Sequence, residues 1–389
     1  MCLIFTLYDY LVRFGPWRYP AYRCRFRSDG GRVYAGLGLE FRGVGPIRTR
    51  QPLRSVRQST REPRKEEPVK AARVVARRKI EFLDVPEPGP LEENEVRVKL
   101  EVLSICGSDI YLEYDAELPE EDYPFVPGAP MHECAGVVVE SRDADYAEGQ
   151  RVIVIPRDVA GMQEQVVQTA DRLIKLPEWG DLSEWVMCQH SGTALYSAKH
   201  WGNLMGKKIA IIGQGGIGLT FTMIAERQGA QQVVGIDLEE YRCRTSMELG
   251  ATHTINATNE NVQEAATEIT GGNLFDVVVD ASGNREGLGI AVGLVRDEGQ
   301  IISFSLVDPV KVMFDHREWM GKNIQINATV IAATDEPVKE IREIVALKER
   351  GWIDPGVLKS HDMNFTEVQE AFEMYRLRED GVIKIAMSF

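Results

Sequence analysis

The stretch "KKIAIIGQGGIGLTFTMIAERQGAQQVVGID", Lys207–Asp237, decides how the rest of the chain is read. "KKIAIIG" is an apolar strand, "GLTFTMIAERQGA" a helix and "QQVVGID" a second strand. Gly213, Gly215 and Gly218 stand between the first strand and the helix in a G-x-G-x-x-G array. The first glycine suits a tight turn, the second lets the backbone approach a ligand, and the third allows close helix–strand packing. Gly216 and Ile217 complete the loop, and the helix N-terminus faces whatever anion sits there. Asp237 follows Gly218 by 19 residues, where a carboxylate hydrogen-bonds an adenosine ribose. The expected ligand is therefore a dinucleotide. A carboxylate at that place repels a ribose phosphate, which favours NAD over NADP, while Arg242 nearby tempers the preference. The plainer alternative is an ordinary glycine turn with a surface aspartate.

Outward from this stretch the texture divides the chain. "HTINA", "FDVVVDASG" and "GQIISFS" continue a strand–helix alternation, the pattern of a parallel sheet with helices on both faces. Towards the N-terminus, "KAARVVARRKIEFLDVPEP", "NEVRVKLEVLSICG", "ECAGVVVE" and "GQRVIVIP" alternate apolar and polar residues between Gly and Pro turns. They predict a β-rich, barrel-like domain. The last part carries two helical segments and closes on a strand, "GVIKIAMSF".

The 389 residues are enough for two or three domains at roughly 100–200 residues each. The net charge of −14 excludes a general nucleic-acid binder, which needs positive charge to displace counterions. Charge is uneven: residues 1–70 hold 15 Lys and Arg against 6 Asp and Glu, and the other 319 hold 30 against 53. Residues 1–68 are Arg-, Gly- and Pro-rich with poor periodicity, and we expect a disordered extension or a gene-model artefact. No run is long and apolar enough to cross a bilayer. The opening residues lack a basic start and carry Asp9 inside their apolar part, unlike a secretory leader. The six cysteines, Cys2, Cys24, Cys106, Cys134, Cys188 and Cys243, form no CxxC and read as reduced thiols in a cytoplasmic protein.

Cys106 stands in "SICGSDIYLEYD", His132 and Glu133 in "PGAPMHECAG", and Cys188 in "WVMCQHSGTALYSA". Two thiolates, an imidazole and a nearby carboxylate suit a catalytic zinc with one open position. Taken singly, Cys106 or Cys188 is more often a small buried hydrophobe.

With these motifs in order, "CGSDIY", "MHECAGVVVE", "GQRVIVIP", "IGQGGIGL", "VVGIDLEEYRCRTSMELGATHTI", "FDVVVDASG" and "GVIKIAM", the chain from about Val69 to Phe389 resembles the medium-chain zinc-dependent dehydrogenases: alcohol, sorbitol and threonine dehydrogenases. The resemblance implies an α/β fold in which a doubly wound parallel-sheet (Rossmann) domain is inserted in a β-rich GroES-like catalytic domain. The expected divisions are 69–190 catalytic, 191–333 NAD-binding and 334–389 returning to the catalytic domain. It implies hydride transfer between an alcohol or polyol, secondary alcohols favoured, and NAD. Alternatives are a zinc-free NAD(P)H-dependent quinone or enoyl reductase of the same superfamily, or a non-enzymatic NAD-binding protein. By the same resemblance Cys106 and His132 match zinc ligands, and Glu133 matches an acid that approaches the metal as ligands exchange. Cys188, 25 residues before Gly213, matches the alcohol-dehydrogenase thiolate, with Gln189 or His190 as other candidates for the last ligand. Asp109 matches a carboxylate that orients the histidine, and Ser108 a hydroxyl that begins a proton relay. Tyr111 stands where the family usually has a histidine. The four-cysteine lobe of a structural zinc is missing, so one zinc per chain is expected. The expected partners are a small-molecule alcohol or ketone and further copies of the chain as a homo-oligomer, with no nucleic acid and no membrane.

Overall fold

The computed structural model describes residues 68–306 and 311–389. The expected extension, apart from Pro68, lies outside the described residues.

The first part of the chain is a run of short strands: β1 (Val69–Ala76), β2 (Lys79–Val85), β3 (Glu95–Ser104), β4 (Glu133–Ser141), β5 (Arg151–Val154), β6 (Gln165–Thr169) and β7 (Leu173–Lys175). β1 and β2 form an antiparallel hairpin. β3 is the hub of the second sheet: it pairs antiparallel with β4 along one edge, and β6 also pairs with it. Val96, Val98, Leu100 and Leu103 of β3 are all fully buried. Burial alternates only in its middle, where Lys99 and Glu101 are exposed between buried residues; towards its end Val102, Leu103 and Ser104 are all buried, as befits a strand at the centre of the sheet.

The chain then passes through α1 (Cys188–Ala198) and alternates strand and helix: β8 (Lys208–Ile212), α2 (Gly216–Arg227), β9 (Gln232–Asp237), α3 (Glu240–Glu248), β10 (His253–Asn256), α4 (Val262–Thr270), β11 (Phe275–Asp280), α5 (Gly287–Leu294), β12 (Val295–Ser303) and β13 (Gln325–Ala328). These strands form a six-stranded sheet in the order β10-β9-β8-β11-β12-β13. Every pairing in it is parallel. The order reverses at β8, so the loop after β8 opens at the switch point where doubly wound sheets bind ligands. α4 is capped at both ends. The Asn261 side chain accepts from Gln263 N and Glu264 N, and Gly271 closes the helix in the left-handed conformation.

The last segment supplies α6 (Lys339–Glu349), β14 (Lys359–Asn364), α7 (Val368–Leu377) and β15 (Lys384–Ser388). β14 and β15 do not extend the parallel sheet. β15 pairs antiparallel with β3, placing Ala386 opposite Ser104, and β14 runs parallel beside β15. The sheet built on β3 is thus completed by residues almost 300 positions away in sequence. One apolar cluster, including Ile153, Trp185, Trp201, Phe221 and Ile341, packs the two sheets together. Among the described residues no helix is long and apolar enough to cross a membrane.

Ile385 on β15 is fully buried, whereas Ser388 on the same strand is exposed. Ile385→Ala should cost ~2–5 kcal/mol, the usual loss when a buried aliphatic side chain is cut back to a methyl. Ser388→Ala should stay within ~0.5 kcal/mol. Urea unfolding of the two variants separates a return strand that is core from one that is ornament.

Candidate active site

The metal-donor group is assembled at the ends of β3 and β4. Cys106 follows β3, and a π-helical turn, Asp109–Tyr114, begins three residues later. That turn folds back because Asp109 Oδ2 accepts the Cys106 backbone N–H at 2.9 Å. Asp109 is almost fully buried, and its other oxygen lies 2.9 Å from His132 Nδ1. One carboxylate therefore places the loop that carries the thiol and also sets which ring nitrogen of His132 faces outward. Cys106, His132 and Glu133 bring one ligand atom each to within 4.8 Å of one another. Ser108 Oγ donates to Cys106 Sγ at 3.2 Å. Burial alone would lower the His132 pKa, but Asp109 and Cys106 outweigh it and hold the ring well above its usual value.

Glu133 is fully buried. Its Oε2 accepts from Lys384 Nζ at 2.6 Å, and Lys384 also donates to the Ile105 carbonyl at 2.5 Å. Its Oε1 has no hydrogen-bond partner among the described residues. Burial by itself raises the Glu133 carboxyl, but Lys384, with His190 and His132, more than cancels this and holds it below its usual range. An ionised, buried carboxylate oxygen without a donor, beside a half-buried thiol and an oriented imidazole, is the donor set zinc takes: soft sulfur, nitrogen and a hard oxygen. The residues fit the metal.

Cys188, expected as a ligand, is not among the three residues that the structure brings together. It is fully buried in the apolar cluster with Trp185, Val186 and Met187, and the structure does not bring it to the donor group. Burial pushes its thiol pKa far up, as expected for a thiol packed among apolar side chains. The reason is helical geometry. Cys188 opens α1, and a residue two positions on points roughly 200° away at 3.6 residues per turn. His190 accordingly faces the other way, with Nδ1 3.9 Å from Glu133 Oε2. Burial and then Lys384 push His190 down to about 3, so its ring is neutral. Gln189 is buried too.

The loop between β8 and α2 has the shape its glycines predict. Gly213 takes φ +89°, and a side chain there would press on Ala281 O. A Cβ on Gly218 would overlap the Gly213 carbonyl. Gly215 is the N-cap of α2 and offers no side-chain cap, so the first-turn N–H groups are left without one among the described residues. Asp237, at the end of β9, accepts from Gln214 N at 2.6 Å and from Glu239 N at 3.0 Å. The carboxylate is thereby held at the mouth of the loop before any ligand arrives. Arg242 Nη1 lies 3.9 Å from Asp237, while its Nε donates to Tyr241 Oη and its Nη2 to Val382 O. Arg242 is tied to the returning segment as much as to the loop. Ile217 packs on the apolar cluster between the sheets.

Two residues at the site were not read from the sequence. Lys384 was visible only as a lysine among the apolar residues of "GVIKIAM", and a fully buried lysine is rare without a partner. Tyr375 on α7 brings its hydroxyl to 3.9 Å from where a Cβ on Gly107 would stand, beside Tyr111. Tyr111 itself is exposed.

A family model described as alcohol dehydrogenase GroES-like domain matches residues 92–197, and one described as zinc-binding dehydrogenase matches residues 216–347. An L-threonine 3-dehydrogenase of Bacillus velezensis is 26% identical over 330 residues, covering 77% of this chain and 93% of that protein. A sorbitol dehydrogenase of Gallus gallus is 26% identical over 262 residues, covering 59% of this chain and 72% of that protein. The crystal structure of 2R,3R-butanediol dehydrogenase from Bacillus subtilis shares the fold, with a TM-score of 0.70 at 22% identity over 82% of this chain and 99% of that one. The two matched models follow in sequence order, one over the metal-donor group and the other from the first residue of α2, and the chain belongs to the medium-chain zinc-dependent dehydrogenase family.

Proposed function

We propose that the chain interconverts a secondary alcohol, on a polyol or related small hydroxy compound, and its ketone, using one zinc and NAD. The observation that carries this reading is the grouping of Cys106, His132 and Glu133 within 4.8 Å. That grouping stands beside a glycine loop whose acidic partner Asp237 is already oriented. The reading takes residues 69–190 and 334–389 as the catalytic unit and 191–333 as the NAD-binding unit. The pairing of β15 with β3 supports it.

Zinc, when bound, supplies Lewis-acid polarisation of an alcohol or carbonyl oxygen, and NAD supplies the hydride acceptor. Cys106 and His132 would hold the metal, and Glu133 would offer a carboxylate oxygen to it. Asp109 keeps His132 in the orientation that presents Nε2. Ser108 Oγ stands next to the donor group and takes the substrate hydroxyl proton. Tyr111, on the same turn and open to solvent, replaces the family's usual histidine, so the proton leaves the cleft by way of Ser108 without an imidazole at that place. Asp237 accepts from the ribose hydroxyls of the adenosine half. The N–H groups at the start of α2 would receive the pyrophosphate.

The resemblance to polyol and amino-alcohol dehydrogenases supports the substrate class. A homo-oligomer belongs to the same reading. The chain leading into the edge strand β13 exposes Leu306, Met313 and Met320, and light scattering reports the assembly. A cytoplasmic location agrees with the free thiols of Cys106, Cys134, Cys188 and Cys243.

A panel of polyols, amino alcohols and simple secondary alcohols, followed by NADH absorbance, tests the activity; a zinc-loaded protein inert toward all three classes would refute it. Cys106→Ser nearly preserves volume but is a poorer ligand, so zinc per chain by mass spectrometry and turnover should both collapse, while NADH still binds with the affinity of the zinc-free protein. Asp109→Asn should weaken zinc roughly 10–100-fold, the usual effect of removing a carboxylate behind a metal-binding histidine. Asp237→Ser should weaken NAD by about 1.5–3 kcal/mol, the value of a hydrogen bond to a charged group, and raise kcat/KM for NADP relative to NAD. A wild-type preference for NADP would sink the assignment of Asp237.

A further inference from the structure

Glu133 faces two ways. One carboxylate oxygen of Glu133 belongs to the donor group with Cys106 and His132, and Oε1 has no hydrogen-bond partner among the described residues. Oε2 is held by Lys384 at 2.6 Å, with side-chain exposures of 0% and 3% for the pair. The stem of Lys384 runs beneath the glycine loop: a Cβ on Gly216 would stand 3.1 Å from Lys384 Cδ and 3.5 Å from His190 Nε2. From His190 a second buried route leads to the same residue. Its Nε2 lies 3.4 Å from Ser191 Oγ, that hydroxyl 3.3 Å from Thr220 Oγ1, and Thr220 donates to Gly216 O at 2.8 Å. Two buried contacts thus run from the metal-donor carboxylate to the first residue of α2, one along the aliphatic stem of Lys384 and one through His190, Ser191 and Thr220.

We propose that Lys384 and His190 are positioning residues that couple metal binding at Cys106, His132 and Glu133 to dinucleotide binding at the N-terminus of α2. The inference rests on the reading of those two sites given above. A lysine ammonium has three donors, and Glu133 and Ile105 take two of them. An anion at the start of α2 competes with Glu133 for that ammonium, at a depth where low dielectric makes such competition strong. As Lys384 leans toward the anion, Glu133 is released toward Cys106 and His132. His190, neutral and with Nδ1 unpartnered among the described residues, lies 3.9 Å from the same Glu133 oxygen that Lys384 holds and limits where it can move. Dinucleotide therefore tightens zinc, and by linkage zinc tightens dinucleotide by the same factor. A buried ion pair is weak support for stability as such, because desolvation offsets its attraction. Positioning is the role that its location favours.

The test is a thermodynamic box on the full chain. Zinc affinity is measured by chelator competition with and without NADH, and NADH affinity by fluorescence with and without zinc. In the wild type NADH should tighten zinc about 5-fold or more, the lower end of ordinary coupling between sites. In Lys384→Met the ratio should fall to within about 2-fold of unity, the margin within which independent sites combine additively. If that variant does not fold because Glu133 is left charged and alone, the Lys384→Met, Glu133→Gln double variant, which buries no charge, is measured instead and should show no coupling. A coupling that persists in whichever variant folds overturns the proposal. So does a wild type that binds both ligands independently, with the functional reading left intact. Failure of the wild type to bind zinc or NADH at all would instead defeat the functional reading, and this inference with it.

Discussion

The arrangement of the whole molecule converges on one buried ammonium. Lys384 reaches Glu133 at the start of β4, the Ile105 carbonyl after β3, and the underside of the loop that opens α2. Taking two charges out of water costs several kcal/mol per ion, so this pair persists only because its partners are held in place. β15 holds the lysine by pairing with β3, and β4 holds the glutamate by pairing with the same strand. The antiparallel seam of three strands is thus the scaffold on which the pair, and with it the metal-donor group, can exist.

Economy of placement marks the rest of the site. Asp109 serves the Cys106 backbone with one oxygen and His132 with the other. It can do so because the π-helical turn begins at the aspartate itself and returns its side chain to the end of β3. The dinucleotide side is organised in the same way. Asp237 is fixed by two backbone N–H groups, one from the glycine loop and one from the turn before α3. In both halves a carboxylate is oriented by the backbone before any ligand is bound, so less ordering is required when the ligand arrives.

α1 connects the two halves and explains where the family pattern changes here. Its first residue, Cys188, packs into the apolar cluster between the sheets, and its third, His190, turns toward Glu133. Its Gly192 admits the backbone of α6, since a Cβ there would lie 2.7 Å from Ile341 Cα. A helix pressed this closely against its neighbour has little freedom to rotate the Cys188 thiol into the cleft.

Much of this was legible in the residues alone, for a stated physical reason. The glycine loop is local: positive φ at Gly213 and the close approach at Gly218 follow from backbone sterics within six residues, and the strand–helix–strand around them from hydrophobic periodicity. Asp237 is legible because its distance from the loop is set by one helix and one strand. Cys106, Asp109, His132 and Glu133 sit in short motifs beside strands, and those motifs point to a metal. Cys188 as a ligand, Lys384 as the partner of Glu133 and Tyr375 at the cleft were decided by tertiary structure. Which way a side chain at the start of α1 points depends on how that helix packs against α6. Lys384 meets Glu133 across 251 residues, a contact that exists only once β15 has found β3. Local pattern determined the elements and the chemistry they carry; long-range packing decided which of those groups could reach one another.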